Sequence, residues 1–167
     1  AQSFSRFGAP SGEGETPLST VSISAVVDDV MALYGGGSSP LVSFEEDVPD
    51  DLPTVVSRAS ELKEVLVNVM ENARDAIGDR GVVRICGRVD GDDTVIVEVV
   101  DDGSGIDEVL LPRIFEPRFS TRSTGAGLGL PIVQRLVNAW GGSVDVTSVP
   151  GEGTTVSIRL KRSDSPR

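Results

Sequence analysis

The sequence contains no histidine, one cysteine (Cys86) and one tryptophan, and aromatic residues fill only 4% of its 167 positions. Without histidine the chain has no imidazole to act as base, nucleophile, metal ligand or phosphoacceptor. A single thiol excludes a disulfide framework and any zinc site built from cysteines. Positive charge is scarce too: 15 Lys and Arg stand against 26 Asp and Glu, a net charge of −11. The overall field of such a chain does not attract nucleic acid or anionic lipid, so no nucleic-acid partner is expected. A bound polyanion would have to be met locally, by a metal ion, a helix N-terminus or a few arginines. No apolar run approaches the ~18 residues of a membrane span. No basic and apolar leader precedes a small-residue cleavage site, and a soluble fragment is expected.

What is present suits one globular domain with a real core: 38% hydrophobic and 25% charged residues. Residues 1–17 place Phe4 and Phe7 at helical spacing and then dissolve into Gly, Pro, Ser and Glu. They read as the end of an upstream helix followed by a linker. Residues 18–161 read as the folded domain, and residues 162–167 as a frayed tail. In "ISAVVDDVMALY", Ile23, Val26, Val27, Val30 and Leu33 recur at helical period. "LVSFEED" and "DLPTVV" are strand candidates. A longer helix carries Leu62, Val65, Leu66, Val69, Ala73, Ala76 and Ile77 as its apolar stripe, with Ser57 or Ser60 as N-cap. "VVRICGRV" and "TVIVEVV" are strands around the turn "DGDD", with Val83, Ile85, Val95, Val97 and Val99 facing the core. "EVLLPRIF" reads as a short helix, and "LGLPIVQRLVNAW" as an amphipathic one that stops at Gly141 and Gly142. "SVDVTSV" and "TTVSIRL" form a hairpin through "PGEG". Helices alternate with strands, some paired as hairpins, so the expected class is α+β: a two-layer sandwich with a mixed sheet covered on one face by helices.

Four stretches stand out. In "VLVNVMENARDAIGDRG", Asn68 and Asn72 lie four residues apart and therefore on one side of a helix. Asn is a poor helix former. The pair is either a solvated polar face or two hard, neutral amide oxygens of the kind Mg²⁺ accepts while it bridges phosphates. "DDGSG" (Asp101–Gly105) is either a plain turn or a fixed carboxylate able to accept from an exocyclic amine, with Gly103 and Gly105 allowing close approach to a flat ring. It is not an EF-hand, because the twelfth position from Asp101 is Pro112. "TGAGLGL" (Thr124–Leu130) is a hinge, or glycine backbone entering a helix N-terminus and so an anion site. It lacks the Gly-Lys-Ser/Thr of a P-loop, and the preceding "RFSTRST" is no strand, which argues against a dinucleotide turn. Arg118 and Arg122 precede it and are placed to pair with phosphate oxygens. "GEGTT" (Gly151–Thr155) is a hairpin turn whose Thr154 is available to support a base pocket.

In this order and with these gaps, the four stretches resemble the N, G1, G2 and G3 boxes of the GHKL ATPase superfamily, and "RIFEPRFST" resembles the F box of its histidine kinases. The resemblance covers about Leu18 to Leu160, and the leader "FSRFGAP" resembles the end of the dimerisation helix of nitrogen-regulator-type sensor kinases. It implies the Bergerat fold, with ATP and Mg²⁺ as ligands. Asn72 matches the Mg²⁺-binding Asn, and Asn68 its neighbour near the phosphates. Asp101 matches the adenine-reading Asp; Gly103, Gly105 and Ile106 lie beside the base, with Thr154 in support. Gly125, Gly127 and Gly129 match the phosphate-proximal glycines, Leu128 packs inside the lid, and Arg122 replaces a phosphate-meeting basic residue that is often Lys.

Chaperone and topoisomerase relatives carry a water-activating Glu at the position of Asn68. An amide is no general base at neutral pH, so phosphotransfer to a protein is expected over hydrolysis. The sequence departs from the pattern at Asp75, where many kinases have Lys, and at Arg118, where many have an apolar residue; Asp75 is expected to point away, with Arg74 or Arg122 compensating. The implied function is the catalytic domain of a cytoplasmic or membrane-anchored sensor histidine kinase. Its acceptor histidine lies on a separate dimerisation domain, and a response regulator lies downstream. A serine kinase of the anti-sigma type and a non-catalytic nucleotide switch are the alternatives.

Overall fold

The computed structural model describes residues 16–35, 41–117 and 129–163. Strand β1 (Ser19–Val21) pairs antiparallel with β3 (Val55–Ser57) in a small sheet of its own. The main sheet has the order β2-β4-β5-β7-β6. It comprises β2 (Val42–Asp47), β4 (Gly81–Asp90), β5 (Thr94–Asp101), β6 (Ser143–Val149) and β7 (Gly153–Lys161). Only β2 and β4 run parallel; the other neighbours are antiparallel, so the sheet is mixed, as expected, and mostly antiparallel. Helices α1 (Ile23–Ala32), α2 (Ala59–Ile77) and α3 (Gly129–Ala139) supply the second layer.

Periodicity explains the core. Ile23, Val26, Val27 and Val30 of α1, Leu62, Val65, Leu66, Val69 and Ala73 of α2, and Val133 and Val137 of α3 are buried. They pack on Val83, Ile85, Val95, Val97 and Val99, which alternate along β4 and β5. The pattern fails where the element ends. Leu33 lies one residue past α1 and is 60% exposed. On the outer sheet face, ion pairs Arg84–Glu45 (2.8 Å) and Arg88–Glu98 (3.2 Å) replace apolar packing.

Three local expectations need correction. The N-cap position of α2 is Arg58, not Ser57 or Ser60, and it makes no side-chain cap bond. Ser57 belongs to β3 and is buried there, while Ser60 already lies inside the helix. Arg58 instead donates to Glu61 at 3.0 Å and to the Thr16 carbonyl. "EVLLPRIF" forms only a 3-10 turn, Leu111–Arg113, because Pro112 has no N–H with which to continue a helical ladder. Strand β1 was not foreseen; three residues are too few to show a period of two.

Glu61 ties α2 to the end of α3. Its Oε1 accepts from the Trp140 indole at 3.0 Å and from Arg58 at 3.0 Å. Burial pushes this carboxyl up, but Trp140, Arg58 and Arg135 outweigh it and hold it below the usual carboxylate range. A depressed folded-state value contributes stability that is full above the unfolded value, about pH 4.3, and is lost as pH falls through the folded one. Glu61→Gln is therefore expected to cost about 1 kcal/mol near neutral pH. Urea melts should show the gap from wild type closing below about pH 4; a gap that persists into acid would contradict the ionised role.

Candidate functional site

The site lies where the C-terminal ends of α2 and β5 meet the β6–β7 hairpin and the described start of α3. Asp101 is the last residue of β5, directly opposite Val83 on β4 and Thr154 on β7. Asp101 and Thr154 are 7% and 8% exposed, the only charged side chain and one of two hydroxyls buried among the described residues. A buried carboxylate needs hydrogen bonds, and Asp101 Oδ1 accepts from Gly103 N–H at 2.9 Å. Asp102 turns the other way and accepts from Val82 N–H at 2.8 Å, so consecutive acids serve opposite faces.

The loop that follows is clamped from both sides. Ser104 N–H donates to Ala76 C=O, near the end of α2, at 3.1 Å. Ser104 C=O accepts from Gly151 N–H of the hairpin at 2.7 Å. Gly105 has φ +72°, and a Cβ there would fall 2.3 Å from Val149 O, so only glycine fits. Ile106 N–H donates to Ser148 Oγ at 2.7 Å. The wall beside Asp101 is thus built from residues 101–106, α2 and the hairpin together.

Asn68 and Asn72 are half-buried on one side of α2. Asn68 Nδ2 donates to Glu64 C=O one turn back at 3.0 Å, which holds the amide in place. Gly129 is the glycine at which α3 begins. A Cβ on it would stand 3.3 Å from Asn72 Nδ2 and 3.5 Å from Asn68 Oδ1. The fold therefore brings the two Asn side chains against the start of α3. Among the described residues no group of three His, Cys, Asp or Glu side chains is placed to hold a metal. A cation at the amides would take its remaining ligands from phosphate and water, which suits Mg²⁺.

Other expected residues behave differently. Asp75 is exposed. Arg74 pairs with Glu71 at 2.9 Å, one turn before it. Tyr34 lies close by, against Phe44 (ring centroids 4.7 Å apart). Burial and the Glu71 charge push its phenol up to about 12, so it stays protonated at neutral pH. Arg118, Arg122, Thr124, Gly125, Gly127 and Leu128 lie outside the described residues, as do Phe4 and Phe7. Two contributors were missed: Ser148, which reads as an ordinary pleat residue, and Gly153, whose added Cβ would fall 2.0 Å from Asp101 C=O. The spacing Gly-x-Gly-Thr was the available signal for the second.

A family model described as histidine kinase-, DNA gyrase B- and HSP90-like ATPase matches residues 57–164. The chain belongs to this family. Its branch follows from its relatives. The histidine-protein kinase AtoS of Escherichia coli is 36% identical over 141 residues, 84% of this chain and 23% of AtoS. The sensor histidine kinase ZraS of Klebsiella oxytoca is 44% identical over 99 residues, 59% of this chain and 21% of ZraS. The catalytic domain of histidine kinase ThkA has the same fold, with a TM-score of 0.78 over 88% of this chain and 97% of that one at 23% identity. Full-length ShkA, solved with AMPPNP, superposes on 98% of this chain and 35% of its own length, with a TM-score of 0.77 and 29% identity. The chain is thus an ATP-binding catalytic domain of the histidine-kinase kind, spanning about a quarter of the curated kinases AtoS and ZraS. Among the described residues no helix is long and apolar enough to cross a membrane.

Proposed function

We propose that this domain, residues 18–161, holds Mg·ATP between α2 and the segment joining β5 to α3, and presents the γ-phosphoryl group to a histidine on a separate dimerisation domain. The observation that carries the reading is the approach of Gly129 to both Asn68 and Asn72, together with the burial of Asp101 at the end of β5. Asp101 reads the adenine amine, with Gly103, Gly105 and Ile106 along the base and Thr154 beneath it. Asn72 and Asn68 face the triphosphate with Gly129; Arg122, Gly125, Gly127 and Leu128, which lie outside the described residues, are assigned to the nucleotide by the motif resemblance alone. Asn72 would hold Mg²⁺ through its amide oxygen, and the ion would supply charge neutralisation at the phosphates.

The chain supplies position and charge, which is most of what phosphoryl transfer requires. An imidazole nitrogen from outside the chain bonds to the γ-phosphorus as the bond to the bridging β,γ oxygen breaks, and ADP leaves. Asn68 is no general base, and one of its two amide protons is given to Glu64 C=O at 3.0 Å. That favours transfer to a protein over hydrolysis. We place the domain in the cytoplasm, where ATP is, and the phosphoryl group passes on to a response regulator.

The test has two stages. The chain is titrated with ATP and GTP, each with and without Mg²⁺; tighter binding of ATP with Mg²⁺ is expected. It is then incubated with γ-labelled ATP and its separately prepared dimerisation domain. Acid-labile, base-stable label on that domain is expected. Label on serine would favour the anti-sigma alternative, and binding without transfer a nucleotide switch.

A further inference from the structure

Ser148 accounts for every hydrogen-bonding valence it has. Its Oγ lies 2.7 Å from Ile106 N, 2.9 Å from Gly153 O and 2.8 Å from Thr154 Oγ1. A hydroxyl has one proton and two lone pairs. The Ile106 N–H takes one lone pair. Gly153 O only accepts, so the Ser148 proton goes there. The second lone pair is then filled by the Thr154 proton. The reverse arrangement, Ser148 donating to Thr154, would face two oxygens at 2.9 Å with no proton between them. Thr154 therefore points its proton at Ser148 and keeps only lone pairs for its other neighbours. Cross-strand from it stands Asp101, whose Oδ1 accepts from the Gly103 N–H.

We infer that Ser148 is a positioning residue for base selection: by holding the Thr154 proton it makes the pocket floor an acceptor-only surface, which favours a purine with an amine at position six over one with a carbonyl. The inference rests on the adenine pocket proposed above and adds to it how the preference is set. Ser148 is 42 residues from Ile106 in sequence, and it joins the loop beside Asp101 to the hairpin that carries Thr154. With Ser148→Ala, the Thr154 hydroxyl is free to rotate and donate into the pocket. A six-carbonyl base is then tolerated.

Calorimetric titration of the whole chain with ATP and with inosine triphosphate, which has a carbonyl in place of the six-amine and carries a proton on N1, tests this. Wild type should prefer ATP. S148A should narrow the ATP-to-ITP ratio by about tenfold, the worth of one hydrogen bond that reads the base, with thermal melting confirming the fold. S148T, which keeps a hydroxyl, should retain most of the ratio. If S148A does not fold, S148C replaces the hydroxyl by a weak thiol donor and should narrow the ratio likewise. In a Thr154→Val background, removing the Ser148 hydroxyl should leave the ratio where Thr154→Val alone puts it. Equal loss of affinity for both nucleotides in S148A would overturn the inference and leave the pocket standing. No preference for ATP in wild type would instead overturn the pocket.

Discussion

Asp101→Ala should reduce ATP affinity about a hundredfold or more, the cost of leaving a base amine without its buried acceptor. The fold should persist. Asp101 sits at a strand end, and its Oδ1 accepts from the Gly103 N–H at 2.9 Å, a contact confined to the loop that follows the strand. Core positions Val95, Val97 and Val99 on the same strand are untouched. Asp101→Asn sharpens the test. It is isosteric and can still accept from Gly103, but it turns a donor toward the base, so ATP should again be lost. Calorimetry checks both variants, and circular dichroism checks their fold. Wild-type affinity in either would reject Asp101 as the adenine reader.

Asn72→Ala should remove the Mg²⁺ dependence of ATP binding and slow phosphotransfer in the full-length kinase on the order of a hundredfold. The neighbouring Asn68 amide is not expected to substitute, since its place on the helix is one turn away. In the proposed pocket the base is read by Asp101 and not by Asn72, so metal-free affinity should change little. Titrations with and without Mg²⁺ separate these outcomes. An Mg²⁺ effect equal to that of wild type would remove Asn72 from the metal site.

Much of this was legible in the sequence, for physical reasons. The Asn helix is long, and its apolar stripe has a clear period, so the side that carries Asn68 and Asn72 followed from 3.6 residues per turn. Asp101 could be placed because the alternation Val95, Val97, Val99 continues to it and puts it on the core side of β5. What was not legible depends on tertiary neighbours. Arg74 looks available to offset Asp75, yet Glu71 stands one turn before it and takes it at 2.9 Å. Ser148 is indistinguishable from Thr147 as a strand residue until the loop from β5 delivers Ile106 N–H to it. The 3-10 turn at Leu111–Arg113 was visible in principle, since Pro112 breaks the ladder that the apolar run suggests.

The central proposition is a cleft in which one buried carboxylate reads a purine while two amides and the start of α3 face its triphosphate. Crystals of this chain grown with Mg²⁺ and a non-hydrolysable ATP analogue test it most directly. The expected density has the six-amine within hydrogen-bond distance of Asp101 and the metal on Asn72. A purine bound away from Asp101, or phosphates bound away from Asn72 and Gly129, would contradict it.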